Sequence, residues 1–80
     1  MNKYPIVVLG AGESGAGAAS LARTEGYGVF VSDLGTIQPY YKSILQKRNI
    51  PYEENRHSPE IILYADEIIK SPGIPDNTPI

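Results

Sequence analysis

Apolar residues form two short unbroken runs near the start of the chain. The first run is Ile6–Leu9, and the second is Val29–Val31, which is followed directly by Ser32 and Asp33. Strands of a parallel sheet are covered on both faces, so they carry continuous rather than alternating hydrophobicity. The two runs therefore predict buried parallel strands, the second of which ends at Ser32 and Asp33.

Small residues at helical spacing separate the two runs and predict a first helix. The residues expected on its packed face are Gly15, Ala18, Ala19 and Ala22. Such small side chains would let the helix pack very close to the sheet. A loop that contains Gly35 and Pro39 then leads to a second predicted helix. The residues that share one face of this second helix are Tyr41, Ile44, Leu45 and Arg48.

The second half of the chain predicts two further strands and a short helix. Pro51–Glu53 is expected near a sheet edge, because a proline cannot donate a hydrogen bond to a central ladder. Ser58 and Pro59 suit the N-cap and the first position of a third helix that extends to about Tyr64. Asp66–Lys70 predicts the fourth strand.

Strands and helices thus alternate along the chain, which predicts an α/β fold of the Rossmann-like class. Right-handed crossovers place the strands in one parallel sheet with helices on both faces, in the order 3-2-1-4. Ligands of such folds bind beyond the carboxyl ends of the strands. We take residues 1–80 as one domain, and the proline-rich stretch 74–80 suggests that the natural domain continues further.

Composition and charge exclude several classes of protein. The 7 Lys and Arg residues are dispersed among 9 carboxylates, so the concentrated basic face that nucleic-acid binding needs is missing. Without cysteine there is neither a disulfide framework nor a thiolate metal site. The first apolar run stops at Gly10, too early for a signal peptide or a membrane span. We expect a cytoplasmic monomer that binds a small molecule, not nucleic acid or a membrane.

The segment Gly10–Gly15 has the spacing G-x-G-x-x-G of a phosphate-binding loop. It follows a predicted strand, opens a predicted helix, and precedes by about 20 residues an acid at the end of the next strand. Gly10 permits the tight turn, Gly12 lets the backbone approach a phosphate, and Gly15 allows helix and strand to pack closely. The helix amino terminus then offers free N–H groups to an anion. Alternatively, the glycines only form a sharp turn.

Four side chains in and after this loop have competing interpretations. Ser14 either donates to a phosphate or caps the helix, and Glu13 should point to solvent, because a carboxylate aimed at the anion would oppose binding. Asp33 binds a ribose diol, accepts the ring N–H of a pyrimidine base, or is an N-cap or loop carboxylate without specific function. His57 is interpreted as a surface loop residue with no second metal ligand near it. The residues predict no catalysis by this chain alone.

The segment Ser71-Pro72-Gly73-Ile74, combined with the glycine loop and the Ser32-Asp33 strand end, resembles the Mur ligase family. These are cytoplasmic ATP-dependent amino-acid ligases of peptidoglycan synthesis. Nearly the whole chain is similar to the amino-terminal, substrate-binding domain of those members that add D-glutamate to UDP-N-acetylmuramoyl-L-alanine. The combination with Ser-Pro-Gly-Ile is much more specific than the glycine loop, which many Rossmann-like proteins share.

The resemblance implies a UDP-sugar site rather than a dinucleotide site. By analogy with the family, the backbone of Gly12–Gly15 and the Ser14 hydroxyl would hold the diphosphate. Asp33 and the backbone from Ser71 to Gly73 would hold the uracil. ATP and Mg²⁺ are expected in a central domain outside this chain, which would make the chain the substrate-binding part of a ligase.

One position departs from the family pattern. Family members often carry polar or basic residues directly after the aspartate, where this chain has Leu34 and Gly35, and Thr36 would then replace that contact. On the glycine loop and Asp33 alone, two other functions stay open. They are the NAD(P)- or FAD-binding half of an oxidoreductase and a non-catalytic nucleotide-sensing domain. The Ser-Pro-Gly-Ile segment is the feature that favours the ligase over both.

Overall fold

The computed structural model describes residues 4–70, which form one four-stranded parallel sheet with helices on both faces. The elements in chain order are β1 (Ile6–Leu9), α1 (Glu13–Thr24), β2 (Val29–Asp33), α2 (Pro39–Lys47), β3 (Tyr52–Glu54), α3 (Pro59–Ile62) and β4 (Glu67–Lys70). This alternation confirms the α/β, Rossmann-like class. None of the helices in the described part of the chain has the length and apolar character that crossing a bilayer requires.

The sheet has the predicted order, β3-β2-β1-β4. All three pairings are parallel, with Leu9 opposite Ser32 on one side and opposite Lys70 on the other. The short strand β3 pairs only with the last part of β2, where Asp33 lies opposite Glu54. The carboxyl ends of the strands therefore lie along one edge of the sheet, and the loops that follow them are neighbours.

Two apolar clusters lie on opposite faces of the sheet. In the first cluster, residues of β1 and β2 pack against α1 and α2. Its members are Ile6, Val8, Ala11, Ala19, Ala22, Val29, Val31, Ile37, Leu45 and Ile50. The second joins Val7, Leu9 and Phe30 to Ile62 of α3. Because successive side chains of a strand point to opposite faces, β1 and β2 supply apolar residues to both clusters. This division explains why the runs Ile6–Leu9 and Val29–Val31 are continuously apolar.

The packed face of α1 differs slightly from the prediction. Its buried residues are Gly15, Ala16, Ala19 and Ala22. Ala16 therefore takes the place predicted for Ala18, which is only partly buried. The helix ends before Gly26, whose φ of +93° is the left-handed conformation typical of the residue after a helix.

The other elements differ by one or two residues from the predicted bounds. The helix α2 starts at Pro39, and Arg48 is its exposed C-cap rather than a packed residue. The helix α3 ends at Ile62 instead of Tyr64, and Tyr64 is exposed. The strands β3 and β4 each begin one residue later than predicted.

Candidate functional site

The turn between β1 and α1 depends on the backbone of Gly10. Its φ of +95° lies in the left-handed region, which residues with a Cβ rarely adopt. Its N–H donates to the carbonyl of Ser32 over 2.8 Å, so the turn is fixed to the end of β2. The tight-turn role predicted for Gly10 matches this geometry.

The amino end of α1 is open. Gly12 is the N-cap, and the first intrahelical bond runs from the N–H of Ala16 to its carbonyl over 2.9 Å. The amides of Gly12–Gly15 precede that bond, and amides in this position have no partner inside a helix. A Cβ on Gly12 would meet no atom of residues 4–70 within 4 Å. Among the described residues, nothing covers the loop, and the side chains of Glu13 and Ser14 are exposed there.

The Asp33 carboxylate connects this loop to the one that follows β2, the β2–α2 loop (residues 34–38). Its Oδ2 accepts the N–H of Ala11 over 2.8 Å, and its Oδ1 accepts the N–H of Gly35 over 2.8 Å. Asp33 thus has a definite structural role, which none of the three sequence-based interpretations included. Each carboxylate oxygen has further acceptor capacity, so a ligand donor can still bind.

The β3–α3 loop (residues 55–58) lies against the β2–α2 loop. The N–H of Arg56 donates to the Asp33 carbonyl over 3.2 Å, and the N–H of Asn55 donates to the Gly35 carbonyl over 3.0 Å. Asn55 has a φ of +63°, a conformation that asparagine tolerates better than most residues. Both carbonyls that hold this loop therefore belong to the segment that carries the candidate base-binding carboxylate.

The remaining predicted site residues fall into two groups. Thr36 is exposed in the β2–α2 loop, where its hydroxyl donates to Asn55 Oδ1 over 3.1 Å. Its proton is thus already used within the chain, and a ligand would meet the hydroxyl as an acceptor unless that bond exchanged. Leu34, directly after Asp33, is 56% exposed. Ser71 and Gly73 lie outside the described residues.

A buried polar cluster behind Asp33 was missed by the sequence analysis. The Ser32 side chain is fully buried, and its Oγ lies 2.5 Å from His57 Nδ1 and 2.8 Å from Glu53 Oε2. Glu53 also accepts the N–H of Ser58 over 2.8 Å and its hydroxyl over 2.6 Å. His57 lies in a loop as predicted, but it is not a free surface residue, because its ring is half-buried and hydrogen-bonded to β2. Sequence carried no signal for this contact between residues 25 positions apart.

Two neighbouring carboxylates of β3 are stabilised in the ionised form. Burial raises the pKa of Glu53, but hydrogen bonds from Ser58 and Ser32 outweigh it and leave that pKa below its ordinary value. The pKa of Glu54 is lowered by a hydrogen bond from Lys42, 2.9 Å away, and by the N–H of Ile37. Both carboxylates thereby attach β3 to its surroundings through charge-assisted bonds.

Acidification is expected to destabilise the fold through these two residues. A carboxylate whose pKa is lowered by folding adds stability above its ordinary value of 4.5 and loses it as pH falls through the folded value. We expect the Tm to fall between about pH 5 and pH 3, and the substitution Glu53→Gln to flatten that dependence. Thermal unfolding by circular dichroism measures both. An unchanged slope in Glu53→Gln would contradict this assignment.

A cleft in residues 4–70 lies away from the carboxyl edge of the sheet. It has a volume of about 440 Å³ and lies between α1 and the starts of β1 and β4, with Ile6, Leu21 and Glu67 among its lining residues. Its opening faces the opposite end of the sheet from Asp33. The same residues contain no group of three His, Asp or Glu side chains arranged to hold a metal ion. The candidate site is therefore the open surface formed by Gly12–Gly15 and Asp33.

The comparisons with known proteins all lead to one family of ligases. Residues 5–80 match the family described as the MurD N-terminal domain. The UDP-N-acetylmuramoylalanine–D-glutamate ligase of Porphyromonas gingivalis strain W83 is 67% identical over 78 residues, which cover 98% of this chain and 17% of that ligase. Enzymes of the same name from Bacteroides thetaiotaomicron and Christiangramia forsetii are 56% and 49% identical, each over 94% of this chain. The chain spans 17% of the length of each of these relatives.

Proposed function

The chain belongs to the family of the MurD N-terminal domain, and on that premise we propose that it binds the UDP moiety of UDP-N-acetylmuramoyl-L-alanine. It would do so as the N-terminal domain of an ATP-dependent ligase that adds D-glutamate in peptidoglycan synthesis. The observation that carries the proposal is the hydrogen bond from Ala11 N–H to Asp33 Oδ2, 2.8 Å long. It places the open amino end of α1 and the Asp33 carboxylate side by side on one edge of the sheet.

The diphosphate fits the amino end of α1. The amides of Gly12–Gly15 have no partner inside the helix, and the helix dipole makes this end positive. Anions bind in this way at the start of a helix that follows a glycine-rich turn. The Ser14 hydroxyl is exposed at the second helical position and would donate a further bond to the phosphates. The carboxylate of Glu13 is also exposed, so it can turn away from the anion into solvent.

The uracil fits the surface beside Asp33. The ring N–H of a pyrimidine is a donor, and the carboxylate oxygens of Asp33 retain acceptor capacity after their two backbone bonds. The exposed side chain of Leu34 follows directly and offers an apolar surface against which one face of the ring could pack. Leu34 takes the position where the family resemblance led us to expect a polar or basic residue, so base binding here would combine one charged acceptor with apolar contact.

This chain would contribute substrate binding and not the ligation chemistry. Binding energy from a part of the substrate far from the reacting carboxylate can be used to orient that carboxylate. ATP and Mg²⁺ would be bound by a central domain outside these 80 residues. The role proposed for the chain is thus to hold the nucleotide end of the substrate while the other end reacts.

A leucine at Gly12 is expected to abolish nucleotide binding without unfolding the chain. Gly12 has an extended backbone, φ −83° and ψ −160°, and free space where its Cβ would lie, so the side chain fits the protein but fills the proposed phosphate site. We expect no detectable binding of the UDP compound by this variant, which corresponds to an affinity lowered by well over about tenfold. The matched control is Gly17→Leu, since Gly17 is also exposed on α1 and its Cβ would meet no atom within 4 Å.

The measurement is an NMR titration of the ¹⁵N-labelled chain with UDP-N-acetylmuramoyl-L-alanine, and with NAD in parallel. The proposal predicts that the UDP compound shifts the amides of Gly12–Gly15 and Asp33, that Gly17→Leu behaves like the wild type, and that Gly12→Leu does not respond. If NAD shifts these amides and the UDP compound does not, the dinucleotide alternative is correct. Equal affinity of Gly12→Leu and Gly17→Leu would exclude α1 as the phosphate site.

A further inference from the structure

The hydroxyl of Ser32 has one proton and three neighbours. Its Oγ lies 2.8 Å from Glu53 Oε2, 3.1 Å from the Arg56 carbonyl and 2.5 Å from His57 Nδ1. A carbonyl and an ionised carboxylate can only accept, whereas an imidazole nitrogen donates or accepts according to its tautomer. The protonation of the whole cluster therefore depends on which nitrogen of His57 carries a proton.

The surroundings of Glu53 decide this question. Its carboxylate accepts the N–H and the O–H of Ser58, and Arg56 lies 3.4 Å away. An ionised Glu53 at 2.8 Å takes the Ser32 proton in preference to the neutral Arg56 carbonyl at 3.1 Å, because the charged acceptor is closer and forms the stronger bond. Ser32 Oγ must then accept from His57. The geometry thus assigns a proton to Nδ1, giving the chain His57 Nδ1–H to Ser32 Oγ–H to Glu53 Oε2.

We propose that His57 is a positioning residue of the nucleotide site, acting through Ser32 to hold the β3–α3 loop on the end of β2. This rests on the function proposed above, because the loop in turn contacts the segment that carries Asp33. Asn55 and Arg56, the two residues before His57, donate their N–H groups to the carbonyls of Gly35 and Asp33. Without the bond from His57 to Ser32, the loop keeps those two backbone bonds and the bonds from Ser58 to Glu53, but it loses its direct side-chain bond to the buried Ser32 of β2.

Loss of this bond is expected to weaken ligand binding by lowering the fraction of molecules in which the loop and the Asp33 segment are ordered. If the loop and the Asp33 segment are ordered only part of the time, the apparent Kd rises in inverse proportion to the ordered fraction. A loop that is ordered about one fifth of the time weakens binding about fivefold. Asn is the informative replacement, since its side-chain amide nitrogen occupies nearly the position of Nδ1 and is always a donor. Alanine provides no donor.

The test uses the 80-residue chain labelled with ¹⁵N, the variants His57→Ala and His57→Asn, and UDP as the probe. Ring ¹⁵N NMR of the wild type reports directly whether Nδ1 is protonated. Hydrogen exchange of the amides of Asn55 and Arg56 reports the order of the loop without any ligand. The titration with UDP then gives the change in Kd. Glu60→Ala is the matched control, because this side chain of α3 is 69% exposed and lies 3.9 Å from Arg56.

In the wild type, we expect His57 Nδ1 to be protonated. In His57→Ala, we expect faster amide exchange at Asn55 and Arg56 and about fivefold weaker UDP binding. His57→Asn should restore the exchange rate and the UDP affinity. An unprotonated Nδ1 would overturn the assignment. Unchanged exchange at Asn55 and Arg56 in His57→Ala would overturn the positioning role, as would a failure of His57→Asn to restore it. If the wild type does not bind UDP, the proposed function fails, while the ring and exchange measurements still decide the role of His57.

Discussion

Replacing Ile62 by alanine is expected to lower the free energy of unfolding by about 2–5 kcal/mol, the range for a fully buried isoleucine. Its side chain is 0% exposed and packs with Val7, Leu9 and Phe30 on the face of the sheet opposite α1. A domain of this length has a total stability on the order of 4–12 kcal/mol. The substitution therefore removes a large share of it, and we expect a substantial unfolded population in mild urea.

The adjacent residue offers a matched control. Leu63 is 61% exposed, so Leu63→Ala removes a side chain of the same size that is largely in water already. We expect a change of less than about 0.5 kcal/mol for this variant. Urea unfolding of both variants, followed by circular dichroism, gives the comparison. Equal losses for Ile62→Ala and Leu63→Ala would mean that α3 does not cover the second face of the sheet as described.

The strands that were predicted most accurately are β1 and β2, which are buried on both faces of the sheet. The strand β1 has the predicted bounds, Ile6–Leu9, and β2 begins at the predicted Val29. Both strands are covered on two faces, so every residue in the run is apolar and the pattern is unambiguous. The order of the sheet followed from the same alternation of strands and helices together with right-handed crossovers.

Helix details were harder because local pattern did not determine them. Small residues occur on more than one face of α1, so their spacing could not show whether Ala16 or Ala18 packs against the sheet. At α3 the chain must turn at once to reach β1, since the N–H groups of Asp66 and Glu67 both donate to the Pro5 carbonyl over 2.9 Å. That requirement ends the helix at Ile62, although the next residues are also apolar. It comes from tertiary structure and is not present in the sequence of the helix.

The candidate site shows the same division between local and long-range information. The glycine loop was recognised because its residues are contiguous in the sequence, and Gly10 has the predicted role in the tight turn. The bond from Gly35 N–H to Asp33 Oδ1 is an Asx turn, for which Asp-x-Gly is a recognisable signal that the sequence analysis did not use. The bond from Asp33 to Ala11 spans 22 residues. Contacts of that kind depend on how two loops pack, which no single-sequence pattern specifies.

Replacing Asp33 by alanine is expected to reduce both stability and nucleotide binding. The N–H groups of Ala11 and Gly35 lose a charged acceptor, and because the site is partly exposed, water compensates in part. We expect a stability loss of about 1–3 kcal/mol. The proposed base contact disappears together with the fixed position of the glycine loop, so UDP affinity should fall by at least about tenfold. Urea unfolding and the UDP titration measure the two effects separately.

The substitution Asp33→Asn separates the structural role from base binding. An amide oxygen can still accept one of the two backbone N–H groups, but the amide nitrogen opposes the other, so stability should be intermediate between wild type and Asp33→Ala. UDP affinity should fall, because the charged acceptor for the base is lost and charge-assisted bonds are roughly twice as strong as neutral ones. If Asp33→Asn kept full UDP affinity while losing stability, Asp33 would serve only to join the two loops. The uracil would then have to be bound by other residues.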